Sequence, residues 1–164
     1  MNIRRARGGD APAIRDILIA AFKGGAEARL VEQLRAKSDL VLALVADNGE
    51  VRGYVAFPRL TVDDGQRVHD AVGLAPLAVA PTHQRLGIGG GLIREGHSLL
   101  VARGEPLIFV LGDPAYYVRF GYDAATAAPF TSAYSGPHFM ALRLNENAPR
   151  GGKVRYPAAF ADLG

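Results

Sequence analysis

Between His69 and Leu111 the chain reads as an apolar run, HDAVGLAPLAVA, then a glycine-loaded turn, PTHQRLGIGGG, a helical pattern to about Arg103, and PLIFVL. Strand, helix and strand in that order put two parallel neighbours in one sheet, because a parallel pair needs a crossover of this length. No other stretch limits the fold as tightly. Pro106–Leu111 is apolar throughout, as a strand covered on both faces should be. The helix begins against its own propensity. Gly87, Gly89, Gly90 and Gly91 crowd its start, and each weakens a helix by about 1 kcal/mol relative to alanine.

A close approach explains such a start. Helix N-termini carry free N–H groups and a partial positive charge, which together suit phosphate. Glycine lets an anion reach the backbone without meeting a Cβ. Tight packing on the neighbouring strand is the other reading. Two common phosphate motifs are excluded. A Walker loop requires G-K-[ST], and Gly91 is followed by Leu92 and Ile93. A dinucleotide fingerprint starting at Gly87 requires a third glycine where Leu92 stands, and belongs in a first βα turn.

The rest of the chain surrounds this unit. Residues 2–6 form a short first strand; Asp10 is placed to cap a helix with Pro12 in its first turn. Ile14, Ile17, Leu18, Ala21 and Phe22 lie on one helical face, Lys23-Gly24-Gly25 ends it, and Ala26–Lys37 reads as a second helix. The period then changes to that of strands: Val41–Asp47, a turn at NGE, and Val51–Val62 form a hairpin. Asp63-Asp64-Gly65 turns the chain into one long strand, His69–Ala80. Beyond the crossover, Asp113-Pro114 caps a short helix at Ala115–Arg119, Phe120-Gly121-Tyr122 starts another strand, and His138–Leu144 is the last clear one. The tail, 149–164, reads as an irregular strand. The expected fold is α/β: a mixed, mostly antiparallel twisted sheet with helices on both faces, in one domain spanning 1–164.

Composition limits the function classes. The net charge of +3 comes from 19 basic and 16 acidic residues without a basic run. A nucleic-acid groove is therefore not expected, while a small anionic ligand is favoured. With no cysteine, disulfides, thiolate nucleophiles and Cys metal sites are excluded. The four histidines are scattered without ligand spacing, so no metal is expected. Arg15 and Asp16 interrupt the first apolar segment, which makes a poor signal peptide, and no apolar run would span a bilayer. A cytoplasmic protein, monomeric or homodimeric, is expected.

Gln84-Arg85-Leu86-Gly87-Ile88-Gly89 reads Q-x-x-G-x-G, follows a strand ending Leu77-Ala78-Val79-Ala80-Pro81, and opens a helix. This resembles the acyl-CoA-binding motif of the GNAT superfamily of N-acetyltransferases, [Q/R]-x-x-G-x-[G/A]. Downstream, Tyr116–Tyr122 (YYVRFGY) resembles the family's Y-x-x-x-G-[F/Y] signature. The resemblance covers residues 3–145, and PLAVAPTHQRLGIG with GDPAYYVRFGY looks like one bacterial subgroup of predicted acetyltransferases whose substrates are poorly defined.

The resemblance implies acetyl-CoA as donor. The backbone of Gln84, Arg85, Leu86, Gly87, Ile88, Gly89 and Gly90 would hold the pyrophosphate of CoA. Leu77, Ala78 and Val79 would bond the pantetheine arm where two parallel strands splay. Pro76 fits failing strand pairing there, or a simple bulge. The reaction implied is direct attack of a primary amine on the thioester, with an N–H from Leu77 to Val79 stabilising the oxyanion. Tyr117, four residues before Gly121, stands where the family's general acid stands. The base is open, because Val72–Val79 contains no acid: Glu27, His69, Asp70 and a water chain are candidates, with Glu27 and His69 also taken as acceptor-site residues. The rival readings are a non-catalytic acyl-CoA-binding or sensing domain and a nucleotide-binding module.

Overall fold

The computed structural model describes residues 2–163. Strand β1 (Asn2–Arg5) leads through a 3-10 turn into α1 (Ala11–Phe22) and α2 (Ala26–Ala36). Four strands follow: β2 (Leu40–Asp47), β3 (Val51–Asp63), β4 (Val68–Gly73) and β5 (Leu77–Val79). Helix α3 (Ile88–Ala102) crosses over to β6 (Leu107–Leu111). The chain ends through α4 (Pro114–Tyr117), α5 (Ala124–Ala127), β7 (Phe130–Thr131), β8 (Phe139–Arg143), β9 (Gly152–Arg155) and a 3-10 segment, Ala158–Leu163. The sheet order is β1-β2-β3-β4-β6-β8, and its central path is antiparallel except at β4–β6. The β4–α3–β6 crossover thus gives the expected parallel pair. None of the helices among the described residues is long and apolar enough to cross a membrane.

Strand alternation sends neighbouring residues to opposite faces. Leu44, Ala46, Val55 and Phe57 meet α3 through Ile88, Leu92, Ile93 and Leu100. Val45, Tyr54, Ala56 and Ala78 face the other way, against Ile14, Ile17 and Leu18 of α1 and Ala28 and Val31 of α2. Helix α3 lies close to the sheet because two glycines permit it. A Cβ on Gly53 would come within 2.8 Å of Ile88 Cγ2, and one on Gly96 within 2.4 Å of the Phe57 ring.

The third long strand expected from His69 to Ala80 is two strands. β4 pairs with the far half of β3 (Arg59↔Val72) and β5 with its near half (Val55↔Leu77). Between those pairs, residues 56–58 of β3 face residues 73–76, one residue more, which is a β-bulge. Ala56 is hydrogen bonded on both sides of it, donating to the carbonyl of Pro76 and accepting from the amide of Ala75. β4 pairs β6 through Val72 and Gly73, and the last link is the Leu74 amide donating to the Phe109 carbonyl. β5 pairs with β3 alone. Both readings of Pro76 therefore hold: the strand bulges there, and beyond the bulge the parallel neighbours part.

Three further expectations need correction. Asp10 does not cap α1 with its side chain. Its carboxylate instead takes a two-pronged bond from Arg4 (2.8 and 2.9 Å) and the amide of Arg7 (2.7 Å), while Arg4 also reaches Asp47. A partly buried guanidinium outcompeted the helix amides. Phe120–Tyr122 starts no strand: Gly121 takes φ +96°, Asp123 makes a single bridge to Ala141, and the Asp123 carboxylate caps α5. The tail is more regular than expected. β9 pairs antiparallel with Thr61–Asp63 of β3 and parallel with β7. It pairs there because β2 has left β3 at Pro58.

Two outcomes test this packing. Gly96→Ala improves helix propensity by about 1 kcal/mol, yet its Cβ would overlap a fully buried ring. Overpacking wins, and urea denaturation should show a net loss of about 1–3 kcal/mol. The Arg4 hydrogen bonds lower the pKa of Asp10 from 3.8 to about 2. A depressed carboxyl pKa contributes stability above the unfolded value, lost as pH falls through the folded one. Melting temperature should therefore fall between pH 4 and pH 2, and Asp10→Asn should lower it at neutral pH and flatten that fall.

Candidate active site

The bulge leaves one edge of β5 open. Ala80 donates to Arg52 and Pro76 accepts from Ala56. Antiparallel alternation then turns the backbone groups of Ala78 toward β3 and those of Leu77 and Val79 away from it, into the gap beside β6. The side chains alternate too. Ala78 is buried against α1 and α2, whereas Leu77 and Val79 face the start of α3.

The loop after β5 is held in a specific shape. Gln84 donates from Nε2 to the Val79 carbonyl (3.1 Å), tying the loop to the strand end. Arg85 and Gly87 both take left-handed backbone conformations, φ +67° and +81°. Turns in which left-handed residues alternate with others aim successive N–H groups into a concavity that accepts anions. Helix α3 begins directly after, and the Gly91 amide donates to the Gly87 carbonyl. The amides of Ile88, Gly89 and Gly90 precede that first helical bond and are free of the helix ladder.

A cleft of about 540 Å³ lies over these amides. Leu77, Val79, Gln84, Arg85, Gly87, Ile88, Gly89 and Gly90 line it, with Arg94, Tyr116 and Arg119 opposite. Its wall at Gly89 is bare: a Cβ there would sit 2.8 Å from the Tyr116 hydroxyl. Gly90 packs against Phe120 and Arg94, so its small size serves the aromatic wall and not the strand. The two arginines are held by rings. Arg94 lies over Phe120 at 4.9 Å, and Arg119 over Tyr116 at 5.2 Å. Three guanidiniums and a helix N-terminus give the cleft the positive charge an anion would need.

A second cavity, about 650 Å³, opens on the other side of Leu77. Its floor is the bulge, Leu74 to Leu77. Tyr117 and Leu111 form one wall, and Phe22, Glu27 and Leu30 another. Ala133, Tyr134, Tyr156 and Phe160 close it from the C-terminal side. Leu77 lines both spaces, so the cleft and the cavity meet at the sheet break.

The tyrosine pair divides between them. Asp113 caps α4 by accepting from the Ala115 amide (3.0 Å), and that short helix sends Tyr116 to the cleft and Tyr117 to the cavity. Tyr117 lies flat against Gly112, where a Cβ would come within 2.6 Å of its ring. Burial, with Tyr116 adding to it, pushes the Tyr117 phenol up to about 12. It is therefore protonated, and a hydrogen-bond donor, throughout the neutral range. Beneath it, His97 bonds the Tyr122 hydroxyl (2.8 Å), and burial lowers the imidazole to about 4. His97 is a neutral core residue.

Most of the residues singled out in the sequence come together. Four do not, His69 and Asp70 among them: Ala78 turns its side chain into the opposite core, and Leu86 is 68% exposed and outside the lining. Glu27 joins Tyr117 in the cavity. His69 lies elsewhere. It pairs with Val62, seven residues along β3 from Val55, or about 23 Å at the rise of a strand. There its ring bonds the Asp64 carboxylate (2.7 Å) in the β3–β4 turn. Its neighbour Asp70 is exposed beside Arg59. Their place along the strand excludes both: eight residues separate His69 from Leu77, about 26 Å at the rise of a strand, with or without the bulge. Arg94 and Arg119 were missed. Arg94 stands four residues after Gly90, on the same helical face, and that spacing was available as a signal.

The cleft should bind a simple anion without any organic part. Inorganic pyrophosphate should raise the melting temperature, and Arg94→Ala should weaken its binding about tenfold, as expected for one charge-assisted contact. Calorimetric titration at two salt concentrations checks this, with the weaker binding at higher salt.

Comparison with known proteins supplies the family. An acetyltransferase (GNAT) domain model matches residues 2–125. The uncharacterized N-acetyltransferase YhbS of Escherichia coli K12 is 39% identical over 157 residues, 92% of this chain and 93% of that protein. The crystal structure of E. coli YhbS in complex with CoA superposes with a TM-score of 0.89 at 37% identity, covering 99% of this chain and 93% of that one. A GNAT family acetyltransferase from Brucella melitensis, solved in complex with acetyl-CoA, gives 0.82 at 37% identity and 97% of each chain.

Proposed function

The chain belongs to the acetyltransferase (GNAT) family, and on that premise we propose that it moves the acetyl group of acetyl-CoA to a primary amine by direct attack in a ternary complex. The observation that carries this reading is the meeting of an anion cleft and an apolar cavity at the broken strand, with a protonated phenol beside the junction. The relatives crystallised with CoA and acetyl-CoA support the donor. Gly89 fits it too, since its lack of a Cβ lets the helix start lie against Tyr116 and the end of β5 at the cleft.

In this reading the amides of residues 85–90 and the guanidiniums of Arg94 and Arg119 hold the diphosphate. The open edge of β5 pairs with the amides of the pantetheine arm, as an added strand would. The thioester supplies an acyl carbon activated for attack and a thiolate leaving group. The Leu77 N–H faces the gap where the carbonyl oxygen gains charge, and donates to it. The Ala78 N–H faces β3 and cannot. The amine nitrogen bonds the acyl carbon, the C–S bond breaks, and Tyr117 donates its proton to the departing sulfur. The balance is one alkylammonium and acetyl-CoA giving the acetamide, CoA and one proton.

Deprotonating the amine is the demanding step. An alkylammonium with a pKa near 10.4 is neutral in only about one molecule in 2,500 at pH 7, a cost of about 4.6 kcal/mol. In this reading Glu27, the charged side chain of the cavity, holds the ammonium, and the proton leaves through water.

Two outcomes follow. Gly89→Glu should abolish the rise in melting temperature caused by acetyl-CoA, by placing an anion in the phosphate cleft. Tyr117→Phe should keep that rise and lower kcat by at least tenfold, read as thiol release with an accepted amine. With the phenol near 12, the rate should climb from pH 7 to pH 10 without a descending limb; a fall beginning near pH 9 would assign the acid role to another group. Thiol release that no amine stimulates, with acetyl-CoA binding retained, would favour a non-catalytic binding domain.

A further inference from the structure

The cavity beyond Leu77 carries its own information on the acceptor, an inference that rests on the acetyl-transfer reading above. Among the described residues lining it, Glu27 is the one charged side chain. Its carboxylate sits half-buried in the first turn of α2 and makes no hydrogen bond or ion pair with another described residue. No lysine, arginine or histidine lines the space with it. Facing Glu27 is a continuous aromatic wall: Tyr134 meets Tyr156 edge to face at 4.9 Å, and Tyr156 meets Phe160 at 5.0 Å. Phe22 and Leu30 complete an apolar surround. The tail builds this wall: β9 pairs with β3, and Phe160 packs with Leu30 and Leu34 of α2, with Tyr156 against that cluster.

We propose that the acceptor is a small primary amine carrying a single positive charge on an apolar or aromatic body. Glu27 takes the ammonium, the ring faces add cation–π attraction, and the apolar wall takes the body. The volume, about 650 Å³, is that of a small-molecule site. Other amine classes leave something unmatched. An amino acid would set its carboxylate near Glu27 with no cation to receive it. A polyamine would strip water from a second ammonium without a second carboxylate. An aminoglycoside would bring many hydroxyls to a wall that offers only three phenols and one carboxylate, and buried polar groups without partners oppose binding.

The test uses the full chain, saturating acetyl-CoA, and five probes: 2-phenylethylamine, hexylamine, spermidine, lysine and kanamycin. Thiol release gives the rate, and mass spectrometry identifies the acetamide. The expected result is a kcat/KM for phenylethylamine and hexylamine at least tenfold above the other three. Glu27→Gln should raise KM for phenylethylamine about tenfold, change kcat less, and leave the acetyl-CoA-induced rise in melting temperature intact; Glu27→Asp should recover part of the loss. Preference for spermidine, lysine or kanamycin overturns the acceptor class, as does faster acetylation of a peptide amide with an apolar N-terminal residue. Acetyl-CoA stabilisation with no amine acetylated overturns the acceptor class while leaving the donor site standing. Absence of any stabilisation by acetyl-CoA instead overturns the functional reading beneath it. Unchanged kinetics in Glu27→Gln removes Glu27 from the acceptor site.

Discussion

One extra residue between Gly73 and Pro76 governs the site. Up to Leu74 the strand is bonded on both edges, to β3 and to β6. From Leu77 it is bonded to β3 alone. A regular strand would have closed the sheet and left no gap, and its N–H groups would all have been spent on neighbours. The bulge keeps the strand attached while freeing one edge, so the backbone of Leu77 and Val79 is unpaired toward the gap and held from behind by β3, as the proposed donor site requires.

The two spaces flanking that gap differ in their electrostatics, and the difference follows from which elements supply them. The cleft is built from a helix start, a left-handed loop and arginines braced on Tyr116 and Phe120, and it favours negative charge. The cavity is built from the α1–α2 junction and the C-terminal tail, and its one charged group among the described residues is a carboxylate. In the proposed reading, a donor with an anionic end and a cationic acceptor would be sorted to opposite sides of Leu77. Tyr117 lines the cavity with a phenol that burial keeps protonated.

Much of this was legible in the residues. The change of period at Val41 located β2 and β3, and the strand–glycine–helix–strand unit located the parallel pair and the loop over which the cleft lies. What stayed hidden depends on long-range register. Nothing local in HDAVGLAPLAVA separates one long strand from two offset ones, although Pro76 marks the place. The partnership of Arg4 with Asp10 and Asp47 was hidden for the same reason, since a capping aspartate and an ion-paired one look alike in sequence. Arg94 and Arg119 were hidden less deeply, as each lies within a few residues of a glycine that was recognised. The aromatic wall could not be read at all, because Tyr134, Tyr156 and Phe160 meet only when β9 docks on β3.

Backbone amide hydrogen exchange with and without saturating acetyl-CoA tests the role of the broken strand most directly. The account predicts slowed exchange at Leu77 and Val79, and at the free amides between Arg85 and Gly90, with Ala78 unchanged because its amide is already bonded to β3. Binding of acetyl-CoA with protection confined to other segments would contradict it.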